Sequence, residues 1–401
     1  MTPLTRALQI VATARNVAEV VRLGGLETGE ESTPFAVAAE QVNYRLRHYF
    51  SEDPGAGARP ILLVPPLMMS ADVWDVSPAT SAVASLHGAG LDPWVVDFGD
   101  PSHEPGGMRR TMTDHVLAVD DAVDRVHAAT GRDVLLTGYS QGGMFAYQAA
   151  ALRRGKHIDS LVTFGSPVDT TARLPIPVSP ERVARLAAGL VDSGILRQIA
   201  LPSWATRLGF KLISPAKTVQ GRVRFLLALN DRDALLPRER QRRFLDSEGW
   251  TAYSGPAIAE FLEQFVAQNR MLEGGFVIED RLVTLADIEL PVLSVVGSTD
   301  NIGHPDSVRA IRRAAPRAEV YELTLRAGHF GLVVGSTASN QTWPAVAAWS
   351  RWRDGLAELP DSIVPAEGVE STTQLPSAAA AALGQVADLY LDATRIALGT
   401  A

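Results

Sequence analysis

Short runs of apolar residues recur along this chain, and helical patterns lie between several of them. Five of these runs cover residues 60–64, 94–98, 132–137, 160–164 and 291–296. Runs this short, bounded by turn residues, are typical of strands that are buried on both faces. The clearest helical pattern spans residues 113–130, where four valines recur on one face. Alternating strands and helices predict an α/β fold with a mostly parallel central sheet and helices on both of its faces.

The beginning of the chain differs from this pattern, and we expect a mostly helical lead-in over residues 1–40. Apolar residues recur at helical spacing as far as Val21, which predicts a helix that packs on the domain. A helix that lies on a lipid surface is the alternative for this segment. Apolar and polar side chains then alternate from Val42 to Phe50, and this period of two predicts a first strand with one more solvent-exposed face.

The alternation of strands and helices stops between residues 170 and 288. This segment contains mostly helical patterns, including residues 181–190 and 256–271, whereas residues 225–229 fit either a helix or a strand. We therefore expect residues 170–288 to form a helical cap inserted over the carboxyl edge of the sheet.

These boundaries define the predicted core and a separate C-terminal segment. The α/β core is predicted to comprise residues 41–169 and 289–352. Residues 353–401 begin with a linker rich in Pro, Glu, Ser and Thr and end in an alanine-rich helix, predicted over residues 377–398.

A G-x-S-x-G sequence occupies residues 138–142, directly after the third apolar run. Good helix formers follow from Gly143 onward, so the motif stands between a strand and a helix. This context is that of a nucleophile elbow, a sharp turn that holds a serine in strained backbone geometry. The sequence therefore predicts that Ser140 is a catalytic nucleophile at a helix N-terminus, where N–H groups can stabilise an oxyanion.

A serine nucleophile needs a base and an acid that orients the base, and two downstream residues fit these roles. Asp300 lies just beyond the last apolar run, and His329 stands in a glycine-flanked loop. The order Ser, Asp, His is that of α/β-hydrolases, so we predict a triad of Ser140, Asp300 and His329. Asp306 is the alternative acid, although its surroundings are more typical of a helix N-cap. The neighbouring His304 is expected at the surface or at a pocket rim.

An oxyanion in such a site is stabilised by two backbone N–H groups. One is expected from Gln141, the residue after the nucleophile. The other is expected from the loop after the first apolar run, where two prolines lack an N–H and leave Leu67 or Met68 as the donor. The apolar side chains of this loop suit an acyl chain and equally suit simple core packing.

Composition narrows the functional classes further. Hydrophobic residues make up 46% of the chain and charged residues 20%, which permits a large core. A net charge of −8 without a block of Lys or Arg argues against a nucleic-acid partner. The chain has no cysteine, so disulfides, thiolate metal sites and a cysteine nucleophile are excluded. No apolar run is long enough for a transmembrane helix, and we expect a cytoplasmic protein, with peripheral attachment to a membrane or lipid body as the alternative.

Several segments together resemble the poly(3-hydroxyalkanoate) synthase family of the α/β-hydrolase superfamily, over residues 33–352. They are residues 64–67, 96–101, 138–143, 165–169, 268–269, 290–293, 297–302, 328–331 and 343–344. The resemblance implies an α/β-hydrolase fold and places the catalytic trio of the family at Ser140, Asp300 and His329. Family members that make polymer have cysteine where this chain has Ser140. A serine ester exchanges its acyl group with coenzyme A thioesters less readily than a cysteine thioester does.

The triad and the resemblance lead us to expect a serine hydrolase of the esterase or lipase type, acting on fatty-acyl or hydroxyacyl esters or thioesters through an acyl-enzyme. Its partner would be a small acyl ester or acyl-CoA, and we assign no metal ligand and no organic cofactor. The alternatives are an acyltransferase or polyhydroxyalkanoate synthase-like enzyme, and a lipid-binding protein without catalytic activity. A homodimer is an alternative to a monomer.

Overall fold

A nine-stranded sheet forms the centre of this protein, whose computed structural model describes residues 3–55, 57–170, 201–213 and 225–366. The strands are β1 Phe35–Glu40, β2 Arg45–Tyr49, β3 Arg59–Val64, β4 Leu91–Asp97, β5 Val134–Tyr139, β6 Ile158–Phe164, β7 Phe276–Ile278, β8 Arg281–Val283, β9 Val292–Gly297, β10 Val320–Leu325 and β11 Val364–Pro365. Their order in the sheet is β1-β2-β4-β3-β5-β6-β9-β10-β11, and β7 and β8 form a separate hairpin.

Six of these strands run parallel and form the middle of the sheet. They are β4, β3, β5, β6, β9 and β10. The strands β1, β2 and β11 pair antiparallel at the two edges. Every residue of β4, β5 and β9 is buried, as expected for parallel strands that are covered on both faces. The predicted α/β fold with a mostly parallel sheet is confirmed.

Ten α-helices are described, and some of them cover the two faces of this sheet. They are α1 Pro3–Leu23, α2 Ala82–Gly88, α3 Met112–Thr130, α4 Gln141–Arg153, α5 Ser203–Ile213, α6 Arg232–Arg243, α7 Gly255–Glu260, α8 Pro305–Arg309, α9 Ile311–Ala314 and α10 Trp343–Arg353. Successive side chains of β3 alternate between two core layers. Leu62 and Val64 pack in the layer that contains α3 and α4, whereas Ile61 and Leu63 pack in the layer that contains α2 and α10.

Helix α3 shows how the local sequence sets the ends of an element. The Thr111 hydroxyl accepts a hydrogen bond from the N–H of Asp114 at 3.1 Å, and the Asp114 carboxylate accepts one from the N–H of Thr111 at 2.7 Å. Gly131 ends the helix with a left-handed φ of 66°. The observed helix, Met112–Thr130, agrees with the predicted range of 113–130.

The first forty residues are less helical than predicted. Helix α1 ends at Leu23, and Phe35–Glu40 is a strand that pairs antiparallel with β2. Almost all side chains of this strand are exposed, so the segment carries no alternating pattern from which a strand could be recognised. Pairing with β2, rather than burial of one face, makes it a strand. Strand β2 itself covers only Arg45–Tyr49 of the predicted 42–50.

Several apolar side chains on the expected inner face of helix α1 remain exposed to solvent. Val11 and Val21 are 67% and 81% exposed. Polar side chains connect α1 to a later segment, since the amide of Asn16 donates to the carbonyl of Leu229 at 2.8 Å and Glu19 accepts from Arg232 at 2.6 Å. Within the described ranges, no helix combines the length and the apolar character that crossing a membrane requires.

The described part of the predicted cap, residues 170–288, is mainly helical. It holds α5, α6 and α7, and α7 continues as a π-helical turn over Phe261–Ala267. Residues 225–227, where the pattern fits a helix or a strand, are helical. The segment also contains the β7–β8 hairpin, which the sequence pattern does not indicate. The helices predicted over residues 181–190 and 377–398 lie outside the described residues.

His115 on α3 is buried among aromatic rings, and this burial makes the stability of the fold depend on pH. The imidazole centroid lies 4.9 Å from the ring of Phe98 and 5.8 Å from the ring of Phe145. Burial lowers the pKa of His115 from 6.5 to about 4. Between these two pKa values the unfolded chain binds a proton that the folded chain does not. The effect of His115 on the free energy of unfolding is therefore absent above pH 6.5, and it lowers the stability progressively as the pH falls to 4.

We expect the melting temperature of the wild-type protein to fall more steeply over this pH range than that of a His115→Leu variant, which lacks the buried titrating group. Relative to the variant, the wild type is expected to lose about 3 kcal/mol of unfolding free energy as the pH falls to the pKa of the buried histidine. Differential scanning calorimetry as a function of pH measures it, with substitution of the exposed His103 by Leu as the matched control. Equal slopes for the wild type and His115→Leu would contradict this account.

Candidate active site

A sharp turn between β5 and α4 presents Ser140 at the carboxyl edge of the sheet. Ser140 has a φ of 53° and a ψ of −119°, a left-handed backbone conformation that costs energy in a residue other than glycine. Its N–H donates to the carbonyl of Phe164, at the end of β6, at 2.8 Å. This hydrogen bond helps to hold the turn, which has the geometry expected of a nucleophile elbow.

Two glycines allow the close backbone approach that this turn requires. A Cβ on Gly138 would lie 2.5 Å from the carbonyl oxygen of Gly142. A Cβ on Gly142 would lie 2.7 Å from the carbonyl oxygen of Pro65 and would also meet that of Val64. These neighbours are backbone atoms, which cannot rotate away as a flexible side chain can. The glycines of the motif therefore follow from the packing of β5, α4 and the loop after β3.

The fold brings the three side chains of the predicted triad together at this edge. The Oγ of Ser140 lies 2.9 Å from Nε2 of His329, and Nδ1 of His329 lies 2.7 Å from Oδ2 of Asp300. When Nδ1 carries its proton and donates to the carboxylate, Nε2 is free to accept the proton of the serine hydroxyl. The arrangement can therefore activate Ser140 for attack on a carbonyl carbon.

Asp300 lies in the turn after β9, and its side chain is fully buried. Its Oδ1 accepts hydrogen bonds from the N–H of Ile302 at 2.8 Å and from that of Gly303 at 3.0 Å. Its Oδ2 faces the imidazole of His329. These hydrogen bonds offset the cost of removing the carboxylate from water and hold it in one orientation.

Two residues at neighbouring strand ends shape the space around the imidazole. Gly165 has a φ of 53°, and a Cβ there would lie 3.0 Å from Oδ2 of Asp300 and 3.2 Å from Nδ1 of His329. The ring centroid of Tyr139 lies 5.0 Å from that of His329. Burial, reinforced by Asp300, raises the pKa of Tyr139 well above its ordinary value, so the hydroxyl stays protonated. Neither residue is predicted to have a role from the sequence, and the available clue is that both stand at the ends of predicted buried strands.

The alternative acid, Asp306, has a different partner. Both nitrogens of His329 are engaged by Asp300 and Ser140, whereas the carboxylate of Asp306 lies 3.5 Å from Nδ1 of His304. The N-cap of α8 is His304, whose Nδ1 accepts from the N–H of Asp306 at 3.3 Å, so the expectation that Asp306 caps this helix is wrong. His304 is 7% exposed and is thus buried, not a surface residue.

The residues predicted as oxyanion donors lie beside Ser140. Gln141 is the first residue of α4, so its N–H has no partner within the helix. The N–H of Leu67 donates to the side-chain Oε1 of Gln141 at 3.3 Å. Met68 follows in the same loop and is half-buried. The role of these three residues as oxyanion donors stays a prediction.

The loop after β3, residues 65–70, is joined to the predicted cap by three hydrogen bonds. They are Thr251 Oγ1 to the carbonyl of Leu67 at 2.8 Å, Thr251 N–H to the carbonyl of Met68 at 3.2 Å, and Ser70 N–H to the carbonyl of Gly249 at 2.9 Å. The position of this loop next to the nucleophile therefore depends on the cap as well as on β3.

A buried tyrosine of the cap holds the side chain of Gln141. The Nε2 of Gln141 donates to the hydroxyl of Tyr253 at 2.7 Å, while its Oε1 faces the N–H of Leu67. Burial raises the pKa of Tyr253 above its ordinary value, so this hydroxyl stays neutral. The sequence does not indicate Tyr253, because it lies in a segment without a recognisable motif and reaches the site only through the fold.

The chain belongs to the alpha/beta hydrolase fold family, whose profile matches residues 59–336. This range contains the nucleophile elbow and both other members of the predicted triad. Among relatives, the chain is similar to the poly(3-hydroxyalkanoate) polymerase subunit PhaC of Haloferax mediterranei, with 26% identity over 94% of this chain and 79% of that protein. The PhaC subunit of Allochromatium vinosum is 28% identical over 74% of this chain and 81% of its own length.

Solved structures also align with this chain, at lower identity. A monoacylglycerol lipase of Paleococcus ferrophilus aligns with a TM-score of 0.46 and 18% identity, covering 74% of this chain and 96% of that one. The resemblance to the poly(3-hydroxyalkanoate) synthase family is thus confirmed as a distant relationship to PhaC subunits over most of the chain.

We expect Gly142→Ala to lower the melting temperature by several degrees, because the new Cβ must push α4 away from the backbone of the loop after β3. Overpacking of this kind costs about 1–3 kcal/mol. The matched control is Gly88→Ala in α2, where an added Cβ meets no atom within 4 Å. Thermal melting of both variants measures the difference, and equal melting temperatures would show that the elbow tolerates a side chain at position 142.

Proposed function

We propose that this protein is a serine hydrolase that cleaves fatty-acyl or hydroxyacyl esters or thioesters through an acyl-enzyme. The observation that carries the proposal is the chain of hydrogen bonds from Ser140 through His329 to the buried Asp300, at 2.9 and 2.7 Å. The base that would remove the serine proton is already in contact with the hydroxyl, and the acid that orients the base is in place.

In the first proposed step, His329 takes the proton of Ser140 while Oγ forms a bond to the carbonyl carbon of the substrate. The tetrahedral intermediate then collapses, His329 gives the proton to the departing alcohol or thiol, and an acyl ester of Ser140 remains. In the second step, His329 deprotonates a water molecule that attacks this ester. The acid leaves, and Ser140 recovers its proton. Asp300 stabilises the imidazolium in both steps and stays ionised.

The negative oxygen of each tetrahedral intermediate requires donors that are fixed before the reaction. We assign this role to the N–H of Gln141, with the N–H of Leu67 or of Met68 as the second donor. In the free protein the N–H of Leu67 is bonded to the Gln141 side chain, so the oxygen of a substrate would take the place of that amide oxygen. Tyr253, which holds the other end of the amide, would then position Gln141 during this exchange.

The proposed substrate class rests on the relatives and on the residues beside the nucleophile. The name of the PhaC subunits, poly(3-hydroxyalkanoate) polymerase, points to hydroxyacyl groups. Leu67 and Met68 place apolar side chains in the loop that adjoins the elbow, which suits an acyl chain of an ester or of an acyl-CoA. An oxygen ester on Ser140 exchanges with thiols less readily than a thioester does, and this favours water as the acceptor.

An acyltransferase is the second candidate, because the alignment with the PhaC subunit of Haloferax mediterranei extends over 94% of this chain. In that reaction an alcohol or a thiol, instead of water, would attack the acyl ester of Ser140. A lipid-binding protein without catalytic activity is the remaining alternative, and it differs from both enzymes in leaving Ser140 unreactive.

Substitution of the nucleophile tests whether the site is catalytic. We expect Ser140→Ala to reduce the hydrolysis of acyl p-nitrophenyl esters by at least about a thousandfold, because the residue that forms the acyl-enzyme is gone. A fluorophosphonate probe should label the wild-type protein and not the variant. Substitution of the exposed Ser102 by Ala is the matched control and should leave both activity and labelling unchanged. Wild-type protein that resists the probe and lacks esterase activity would instead support the lipid-binding alternative.

Product analysis separates the hydrolase from the acyltransferase. With a 3-hydroxyacyl-CoA substrate, we expect free 3-hydroxy acid and coenzyme A in equal amounts, since water would release the acyl group. Mass spectrometry of the products, with Ser140→Ala as the blank, measures this ratio over a series of chain lengths. Oligomers, polymer or an acyl group transferred to an added alcohol would contradict hydrolysis and assign the protein to the acyltransferases.

A further inference from the structure

Two imidazoles and a carboxylate meet at the amino edge of the sheet, opposite to Ser140. His127 lies in the last turn of α3, Asp133 in the turn before β5, and His157 directly before β6. Strand β5 is six residues long, so this edge lies about 17 Å from the elbow along the strand. The cluster is therefore separate from the candidate active site.

The three side chains stand at the spacing of ligands around one metal ion. The Oδ1 of Asp133 lies 3.3 Å from Nδ1 of His127 and 3.8 Å from Nδ1 of His157. The two imidazole rings stack with their centroids 3.7 Å apart. Ligand atoms about 2.0–2.2 Å from a tetrahedral zinc ion lie roughly 3.3–3.6 Å from one another. One ligand atom of each side chain lies within 4.8 Å of the other two, and the stacked rings must turn apart for both nitrogens to face one ion.

Neighbouring groups would support an ion at this position. The Nε2 of His157 lies 3.9 Å from the carboxylate of Asp124, which also pairs with Arg153. Metal-bound imidazoles commonly have an outer carboxylate partner of this kind. The Nδ1 of His127 donates to the backbone carbonyl of Arg132 at 3.0 Å, so this nitrogen would exchange that hydrogen bond for the ion when it becomes a ligand. Asp133 is exposed, whereas both histidines are half-buried, so an ion could enter from solvent and reach two fixed imidazoles.

We propose that His127, Asp133 and His157 bind a zinc ion. Two imidazole nitrogens with one carboxylate oxygen form a donor set that zinc accepts readily, whereas magnesium and calcium prefer oxygen ligands alone. The bound ion replaces a proton wherever the coordinating nitrogen carries one. It links the end of α3 to the starts of β5 and β6 and takes no part in the chemistry at Ser140. Its effect is on stability.

Titration calorimetry of the untagged protein with zinc chloride tests this site. We expect one zinc ion per chain and a melting temperature that rises with zinc concentration, because the ion binds the folded state. Cobalt in place of zinc should give the visible absorption of a four-coordinate ion. His157→Asn should weaken binding at least about tenfold. Asparagine tolerates the left-handed φ of 62° that His157 adopts, so this variant preserves the backbone.

Two further variants make the result independent of the folding of one mutant. Asp133→Asn changes an exposed ligand and should weaken zinc binding in the same way. His103→Asn is the matched control, since His103 is also close to a carboxylate, that of Asp100 at 3.9 Å, but lies outside the cluster. Loss of affinity in the two ligand variants alone supports the site. Absence of zinc-dependent stabilisation in the wild type, or equal affinity in all four proteins, overturns it.

Discussion

Parallel pairing of the central strands determines where the side chains of the candidate triad lie. Strands β5, β6, β9 and β10 run in the same direction, and their register aligns the last residues of neighbouring strands. The chain therefore leaves all four strands at one edge of the sheet, and within a few residues it supplies Ser140, Asp300 and His329. Short side chains can bond to one another here because the strand register has already placed their backbones.

The arrangement at this edge comes at the cost of local strain and of a buried carboxylate. The left-handed backbone of Ser140 is held by the carbonyl of Phe164 and by the close packing around Gly142. The carboxylate of Asp300 is held by two backbone N–H groups and by His329. Since the surrounding core is tightly packed, neither group can relax without disturbing several elements, and this gives the site its fixed geometry.

Residues of the site that stand in short local motifs can be recognised from the sequence. Residues that reach the site only through contacts between distant segments cannot. Ser140 and His329 are recognisable because glycine-rich turns next to buried strands leave a short signature. The sequence favours Asp300 over Asp306 because Asp300 lies just beyond a buried strand, and the folded chain adds that its carboxylate faces the imidazole. Tyr253 comes from a cap segment without a motif, and β1 is an edge strand that buries neither face, so neither leaves a periodic pattern. The cluster around His157 likewise forms only when three separate elements meet.

The hydrogen bonds between the predicted cap and the loop after β3 limit how these two segments can move. Because Thr251 and Gly249 bond directly to residues 67–70, this part of the cap cannot swing outward as a free flap. Either the whole loop travels with it, which would dismantle the region beside Ser140, or the hydrogen bonds break first. The attachment of residues 249–251 and the arrangement of the loop beside Ser140 therefore depend on each other.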